Sequence, residues 1–263
     1  GVWMTEASAK SYQLTSPDGK NVITVTCNDK GMSYSLTRNG DYQYSTVPFT
    51  MRAGDALWGA ETKGRKVSKG NVNGMVQYVV PRKYKETPEN YNWMKLGFKG
   101  YDVEFRAYND GVAYRFVGKK DSVAEVDESA GYRFAKDYNT YALMTKELQN
   151  WYEEDYTIAP LSALPKDMMS LTPLMVTTDN SYLLFAEADL YNYSGSYLRP
   201  VEGGFDLIWS DYPSKQDFFD GTNKLYSVDR YDYIVKCSMA RTFPWRVVGT
   251  FDKGSEIDMM SSD

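Results

Sequence analysis

The most regular feature of the chain is a two-residue period of apolar and polar positions along short segments. Several segments either alternate in this way or form brief apolar runs: NVITVTC, MSYSLTR, MVQYVV, YDVEFRAY, GVAYRFV, YLLFAEADL and YDYIVKC. A period of two sends successive side chains to opposite faces of a β-strand. The pattern therefore predicts a chain built mainly of strands.

Two Asp-Gly turns stand between neighbouring extended runs. They lie in SPDGK, at Ser16–Lys20, and in YNDGV, at Tyr108–Val112, and Asp-Gly in this setting is the strongest local signal for a β-hairpin. Only the segment 135–151 looks helical, but its aromatic and β-branched residues and its missing cap disfavour a helix. We predict an all-β fold, a large antiparallel β-sandwich with two early hairpins.

Length and composition are compatible with one large domain. The 263 residues are 42% hydrophobic and 15% aromatic, with 23 Tyr and 6 Trp, which suits strands and also suits stacking on sugar rings. The net charge is −5, so the basic field that nucleic acid or an anionic membrane requires is absent. No apolar run is long enough to span a bilayer. We therefore expect no nucleic-acid partner and no insertion into a membrane.

Histidine is absent from the sequence, and its absence excludes several kinds of chemistry. Ser-His-Asp and Cys-His nucleophiles cannot form, and zinc or iron sites with histidine ligands cannot form either. Any catalysis would rest on carboxylates, Tyr, Lys or Arg. Any metal ion should be a hard cation bound by oxygen atoms, with Ca²⁺ as the leading candidate.

The start of the chain and its two cysteines give weaker information. GVWMTEASAK lacks the basic and then apolar plan of a signal peptide, so we expect a processed or trimmed start. Cys27 and Cys237 both fall on the apolar side of alternating strands. That placement favours buried thiols over a disulfide bond.

The densest acidic cluster lies in NWYEEDYT, where Glu153, Glu154 and Asp155 stand between Trp151 and Tyr156. One interpretation is an exposed acidic turn with aromatic rings packed beneath it. The other is a cation or sugar site at the rim of a β-domain, where aromatic walls position a carboxylate. Spacing alone leaves both open.

Several ordered motifs resemble the N-terminal domain of glycoside hydrolase family 97, a family of bacterial α-glucosidases and α-galactosidases. The motifs are FRAYNDGVAYRF at Phe105–Phe116, LTSPDGKNVITV, Tyr91-Asn92, YEEDYT, LLFAEADLYNYSGSYL and FPWRVV. The resemblance implies a single domain over residues 1–263, a galactose-mutarotase-like super-sandwich of two large antiparallel sheets. It also implies a catalytic (β/α)₈ barrel after this domain, and the chain stops at Asp263, about where that barrel should begin.

The resemblance further implies a role for the acidic cluster. In that family the N-terminal domain contributes a glutamate to a Ca²⁺ ion in the sugar site, from a segment that looks like YEEDYT. The register gives this role to Glu153, and a shift of one residue would give it to Glu154. The catalytic carboxylates belong to the barrel, so the resemblance implies no catalytic residue here. It also implies an inactive isolated chain that binds Ca²⁺ weakly or not at all.

Four further residues are candidates for contact with the sugar or with the barrel. Trp151 and Tyr156 flank the acidic cluster, and Trp245 lies in a Pro-Trp-Arg turn that looks like an interdomain anchor. Glu187, in FAEADL, is either such a contact, a charge at a strand end, or the partner of Arg246 or another buried donor.

Other functions remain open beside the family interpretation. A sandwich rich in Tyr and Trp could be a free-standing carbohydrate-binding module, or a scaffold that stabilises a neighbouring domain. An aldose epimerase is disfavoured, because that chemistry uses histidines. Under the family interpretation the partners are the barrel of the same chain and an α-linked oligosaccharide, and the location is periplasmic or secreted. Barrel residues would decide between inversion and retention, and the sequence leaves the choice between α-glucosidase and α-galactosidase open.

Overall fold

The structure, a computed structural model, describes residues 9–60, 66–80, 83–146, 156–209, 213–218, 225–230 and 232–254. Strands dominate these residues, and the helical structure among them is a 3₁₀ turn at Leu161–Ala163. None of the described residues forms a helix long and apolar enough to cross a membrane. The prediction of an all-β fold is confirmed.

The strands are numbered in chain order. The first twelve are β1 (Lys10–Thr15), β2 (Asn21–Asn28), β3 (Gly31–Arg38), β4 (Asp41–Thr46), β5 (Thr50–Ala53), β6 (Ala56–Trp58), β7 (Lys66–Val80), β8 (Lys83–Gly97), β9 (Tyr101–Tyr108), β10 (Gly111–Gly118), β11 (Val123–Ser129) and β12 (Gly131–Arg133). The others are β13 (Asn139–Thr145), β14 (Tyr156–Pro160), β15 (Met169–Ser170), β16 (Leu174–Thr177), β17 (Ser181–Ala188), β18 (Ser196–Val201), β19 (Gly204–Trp209), β20 (Pro213–Phe218), β21 (Leu225–Arg230), β22 (Val235–Ser238) and β23 (Trp245–Asp252).

Two large antiparallel sheets form the sandwich. Sheet I has the order β1-β2-β3-β4-β12-β19-β18-β15, and sheet II has the order β14-β13-β16-β17-β23-β10-β9-β8-β7. Strand β13 joins them, because its first residues pair with β16 and its last two pair with β15. A smaller sheet III, β22-β11-β5-β6, and the β20-β21 hairpin complete the described strands.

Both predicted hairpins are present, and their turns meet. β1 pairs with β2 across the first Asp-Gly turn, and β9 pairs with β10 across the second. The Asp18 amide donates to Asn109 Oδ1 at 2.9 Å, and Asn21 Nδ2 donates to the Tyr108 carbonyl at 3.0 Å. Gly19, with φ of 77°, occupies the left-handed region that glycine adopts without strain. The two turns thus connect sheet I to sheet II.

The core between the sheets is largely aromatic. Tyr34 of β3 contacts Tyr114 of β10 edge to face, with ring centroids 5.9 Å apart, and its hydroxyl shares a 2.7 Å hydrogen bond with that of Tyr44. Phe185 of β17 contacts Tyr44 and Phe205 across the interface. Burial raises the pKa of Tyr34 and of Tyr44 well above the usual value, so both hydroxyls stay protonated. Core packing therefore accounts for many of the tyrosines.

The two cysteines are free thiols, as predicted. Cys27 of β2 is buried and Cys237 of β22 is half-buried. The segment that looked helical contains β13, which pairs with β14 on one side and β16 on the other. Thr140 and Ala142 of this strand face the core while Tyr141 and Leu143 are half-buried, the alternation of a strand with one covered face.

Candidate functional site

The acidic cluster lies in the connection between β13 and β14. These strands pair from Asn139 opposite Pro160 to Leu143 opposite Tyr156. Residues 147–155 follow β13 and lead into β14, and they lie outside the described residues. The candidates Trp151, Glu153 and Glu154 are among them, so the interpretation of the cluster remains a prediction.

The described strand next to the cluster exposes apolar side chains. β14 pairs with β13 on one side, and no described strand pairs with its other side. Tyr156 is 54% exposed and Ile158 is 65% exposed, and the Tyr156 ring stacks on Tyr141 with centroids 4.5 Å apart. These three residues, here called the edge patch, form an apolar surface directly after the acidic cluster. Such surfaces often mark interaction sites.

A buried charge cluster includes the candidate Glu187 of the FAEADL motif, at the place where β17, β23 and β11 meet. Arg246 donates to Glu187 Oε2 at 2.7 Å and also pairs with Glu128 of sheet III. The side chains of Arg246, Glu128 and Glu187 are 1%, 5% and 6% exposed. Of the roles considered for Glu187, the pairing with Arg246 is the one observed.

Neutral donors also form hydrogen bonds with the two carboxylates. The Ser196 amide donates to Glu187 Oε1 at 2.9 Å, and the Ser196 hydroxyl donates to Oε2 at 2.8 Å. Tyr193 donates its hydroxyl proton to Glu128 Oε2 at 2.6 Å. Since removal from water penalises each charge, this dense pairing is what makes the burial tolerable. Both oxygens of Glu187 are therefore engaged within the domain.

The protonation states in this cluster follow from its surroundings. Burial opposes the positive charge of Arg246, but the carboxylates of Glu128 and Glu187 outweigh that effect and raise the pKa of the guanidinium. Burial, together with the Glu128 carboxylate, raises the pKa of Tyr193 well above its usual value. Arg246 stays charged and Tyr193 stays a donor across the physiological pH range.

Trp245, predicted as an interdomain anchor, is covered by arginines of the same chain. Its ring lies 4.5 Å from the guanidinium carbon of Arg106 and 4.2 Å from that of Arg115, and the residue is 6% exposed. Arg115 also donates to Glu104 at 2.8 Å. These contacts are cation–π packing across strands of sheet II. A role of Trp245 toward another domain remains a prediction.

Comparison with known families decides what kind of domain this is. The family model described as "Glycosyl-hydrolase 97 N-terminal" matches residues 14–258. The chain belongs to this family. The match spans every described strand except the first residues of β1, so it covers both sheets of this family 97 domain.

Relatives and solved structures agree with this membership. A retaining alpha-galactosidase of Bacteroides thetaiotaomicron is 35% identical, over 93% of this chain and 39% of that relative. A glycoside hydrolase family 97 enzyme of Pseudoalteromonas sp. strain K8, solved with acarbose, has a TM-score of 0.70 at 19% identity, over 91% of this chain and 35% of that chain. A beta-arabinopyranosidase structure gives 0.70 and 19%, over 92% and 40%. The two structural likenesses show a shared fold, and this family 97 domain spans 39% of the curated relative's length.

The donors of this family 97 domain can be compared with the needs of a calcium ion. Within the described residues, no three side chains of Asp, Glu or Cys are arranged to hold a metal ion. The acidic cluster has the right chemistry, because its donors are carboxylate oxygens and Ca²⁺ takes six to eight oxygen ligands. The donor types therefore fit the ion.

The sequence did not reveal two members of the buried charge cluster of this family 97 domain. Glu128 lies in an ordinary alternating strand, 118 positions from Arg246, and Tyr193 lies in a segment with many polar residues. The available signal was the carboxylate Glu187 placed after an apolar run, since such a charge needs a partner. This signal shows that Glu187 needs a partner, but it does not show which residue the partner is.

Proposed function

We propose that this chain is the N-terminal domain of a longer, calcium-dependent, exo-acting α-glycosidase, either an α-glucosidase or an α-galactosidase. The observation that carries the proposal is the family match over residues 14–258, in a chain that spans 39% of a retaining alpha-galactosidase. In the proposed parent, the domain packs against the catalytic barrel, and the whole enzyme acts on α-linked oligosaccharides. The parent works in the periplasm or outside the cell, as the family resemblance implies.

The domain's proposed contribution to chemistry is one carboxylate, that of Glu153. In the chain, the cluster follows β13 and precedes β14, and these two strands pair with each other in sheet II. A bound Ca²⁺ would supply a fixed positive charge that orients sugar oxygens and stabilises negative charge on them. Glu153 would act as a ligand and not as the acid or base, because those carboxylates belong to the barrel in this family.

The edge patch is the proposed contact with the barrel. Its exposed apolar side chains, Tyr156 and Ile158, directly follow the acidic cluster, and burying them would exclude water from the neighbourhood of Glu153. Fully burying an apolar side chain of this size contributes roughly 1.5–3 kcal/mol. The same contact would therefore hold the domain in place and shield the ion site.

The isolated chain is expected to show no glycosidase activity. The barrel carboxylates, which serve as acid and as base or nucleophile in this family, would be missing. The test is hydrolysis of p-nitrophenyl α-glucoside and α-galactoside by the purified chain with Ca²⁺ present. Turnover that survives Glu153→Gln would contradict the proposed division of roles between the two domains.

The double change Tyr156→Ser and Ile158→Ser should separate docking from folding. In the full-length parent we expect a loss of about 2–4 kcal/mol at the interface, seen as an earlier thermal transition for this domain. The isolated chain should lose only about 0.5–1.5 kcal/mol, the value of the stacking contact between Tyr156 and Tyr141, because both substituted side chains are already largely exposed.

The matched control is Val123→Ser on β11, since Val123 is also apolar and is 67% exposed. It should leave the isolated chain and the parent unchanged. If the double variant and the wild type have the same thermal transition in the full-length parent, the edge patch is not part of the interface with the barrel.

A further inference from the structure

The connection between β17 and β18 borders an open depression on the surface. The depression has a volume of about 480 Å³, and its lining includes Asp189, Tyr191, Asn192, Ser238, Arg241 and Thr242. It is built from the LLFAEADLYNYSGSYL motif on one side, and from the end of β22 and the segment that follows it on the other. The residues of the edge patch are not part of this lining.

The connection itself, residues 189–195, is held in its middle and at its C-terminal end. Tyr193 in the middle donates to buried Glu128, and Ser196, which follows the connection, donates two hydrogen bonds to Glu187. At Gly195, a Cβ would lie 3.2 Å from Glu187 Oε1, so the chain passes close to that carboxylate. The buried charge cluster thus fixes the path of this exposed connection.

Arg241 holds the connection on its outer side. Its guanidinium donates to the carbonyl oxygens of Tyr191 at 2.7 Å and Asn192 at 3.4 Å, and its Nε donates to the carbonyl of Thr242 at 3.0 Å. The same group lies 5.0 Å from the ring centroid of Phe243. Its three nitrogen atoms are thereby directed to main-chain oxygens.

Two residues of the connection have a strained backbone. Asp189 has φ of 60° and Asn192 has φ of 47°, the left-handed region that residues with a Cβ seldom enter, although Asp and Asn tolerate it best. Such strain persists only where the surroundings impose it, and it is concentrated at binding sites. Here it accompanies an exposed ring, because Tyr191 between them is 80% exposed.

The depression therefore combines one exposed aromatic ring, on a backbone held by Arg241, with several small polar groups. Ser238 and Thr242 carry hydroxyls, Asn192 an amide and Asp189 a carboxylate. The guanidinium of Arg241 already serves the main chain, and Asp189 is exposed, so an anionic ligand is disfavoured. A pyranose ring has the matching chemistry, with an apolar C–H face for the ring of Tyr191 and hydroxyls for the polar groups.

We propose that this depression is a carbohydrate-binding site that takes one or two pyranose rings of a neutral oligosaccharide. Tyr191 stacks on the sugar, and Asp189 and Asn192 form hydrogen bonds with its hydroxyls. Arg241 is a positioning residue, because it acts through the carbonyls of the connection. The site goes beyond the proposed calcium role and needs neither Glu153 nor a barrel, so the two proposals can fail separately.

The test is calorimetric titration of the 263-residue chain in EDTA, with maltoheptaose and stachyose as neutral probes and an oligogalacturonide as the acidic one. We expect at least one neutral probe to bind with Kd near or below about 1 mM, and the acidic probe to bind more weakly. Tyr191→Ala should weaken binding about tenfold, the loss of roughly one aromatic stacking contact. Tyr191→Phe should stay within about twofold of wild type, since the ring remains.

The matched control is Tyr42→Ala, because Tyr42 on β4 is also an exposed tyrosine and lies outside the depression. It should leave the affinity unchanged, and equal melting temperatures would show that all variants fold. The proposal is overturned if neither neutral probe binds at about 10 mM, if Tyr191→Ala binds as wild type does, or if the acidic probe binds better. Binding by this chain that disappears in a full-length parent would also overturn it, since another part of the parent would then cover the depression.

Arg241→Met tests the positioning role by a separate readout. Hydrogen exchange of the amides in residues 189–195 should accelerate, and affinity for the neutral probe should fall, whereas Tyr191→Ala should lower affinity without changing exchange. Faster exchange with unchanged affinity would contradict the role assigned to Arg241.

Discussion

Arg246→Met is expected to lower the free energy of unfolding by about 3–5 kcal/mol. The change keeps much of the side-chain length but leaves Glu128 and Glu187, 5% and 6% exposed, without their common cation. A carboxylate held away from water without a partner is among the most destabilising features that one substitution can create. Urea denaturation of the isolated chain would measure the loss, and thermal melting should fall by roughly 6–20 °C.

Two matched variants show where the loss originates. Arg133→Met removes the partner of Asp206, a pair at 2.8 Å whose side chains are 37% and 31% exposed, and it should cost less than about 1 kcal/mol. Combining Arg246→Met with leucine at both glutamates removes the unpaired charges and should recover part of the stability. If the Arg246→Met and Arg133→Met variants have the same melting temperature, the buried charge cluster contributes far less to the free energy of unfolding than its burial suggests.

Local sequence signals were sufficient to predict that the fold consists of strands and that two of its hairpins form at Asp-Gly turns. The Asp-Gly turns at Asp18 and Asp110 lie between paired strands, and alternation placed residues such as Val25 and Phe105 in the core. In segment 135–151 the aromatic and β-branched residues correctly disfavoured a helix, because β13 is a strand that pairs with neighbours on both sides.

Partnerships between distant segments could not be predicted in the same way. Glu187 required a donor, and Arg246 was one candidate, but the second carboxylate of the pair comes from sheet III. A period of two gives the face of a strand and leaves open which strand lies opposite. The exposure of Tyr191 depends likewise on contacts of the connection with Arg241 and Glu128 that no local pattern contains.

The calcium role is open for a related reason. A Ca²⁺ site collects oxygens from several segments, and the cluster contributes carboxylates from one. Its chemistry can be read from the sequence, whereas its geometry depends on residues 147–155, which lie outside the described residues. The register that selects Glu153 is a prediction from the motif resemblance, and a mutation can test it.

Glu153→Gln in the full-length parent is expected to lower kcat/KM toward α-glycosides at least tenfold, roughly the loss typical of disturbing a metal site. The amide keeps the size and polarity of the side chain but removes one charge from the ligands of the ion. Added Ca²⁺ should restore part of the activity, because the defect lies in affinity. Stability without calcium should stay within about 0.5 kcal/mol of wild type.

The matched control is Glu154→Gln, the neighbouring carboxylate in the same cluster. It should keep most of the activity at the same calcium concentration. An activity loss confined to Glu154→Gln would move the proposed ligand by one residue, and equal activity of both variants and wild type would favour an exposed acidic turn.

Calcium titration calorimetry on the full-length parent tests the central claim most directly. The claim predicts one tight site in the wild type, a dissociation constant raised at least about tenfold by Glu153→Gln, and nearly wild-type binding after Glu154→Gln. The 263-residue chain alone should bind Ca²⁺ weakly or not at all, since the claim assigns it one ligand, Glu153, of the six to eight oxygens that the ion takes. Undiminished calcium affinity after Glu153→Gln would contradict the account.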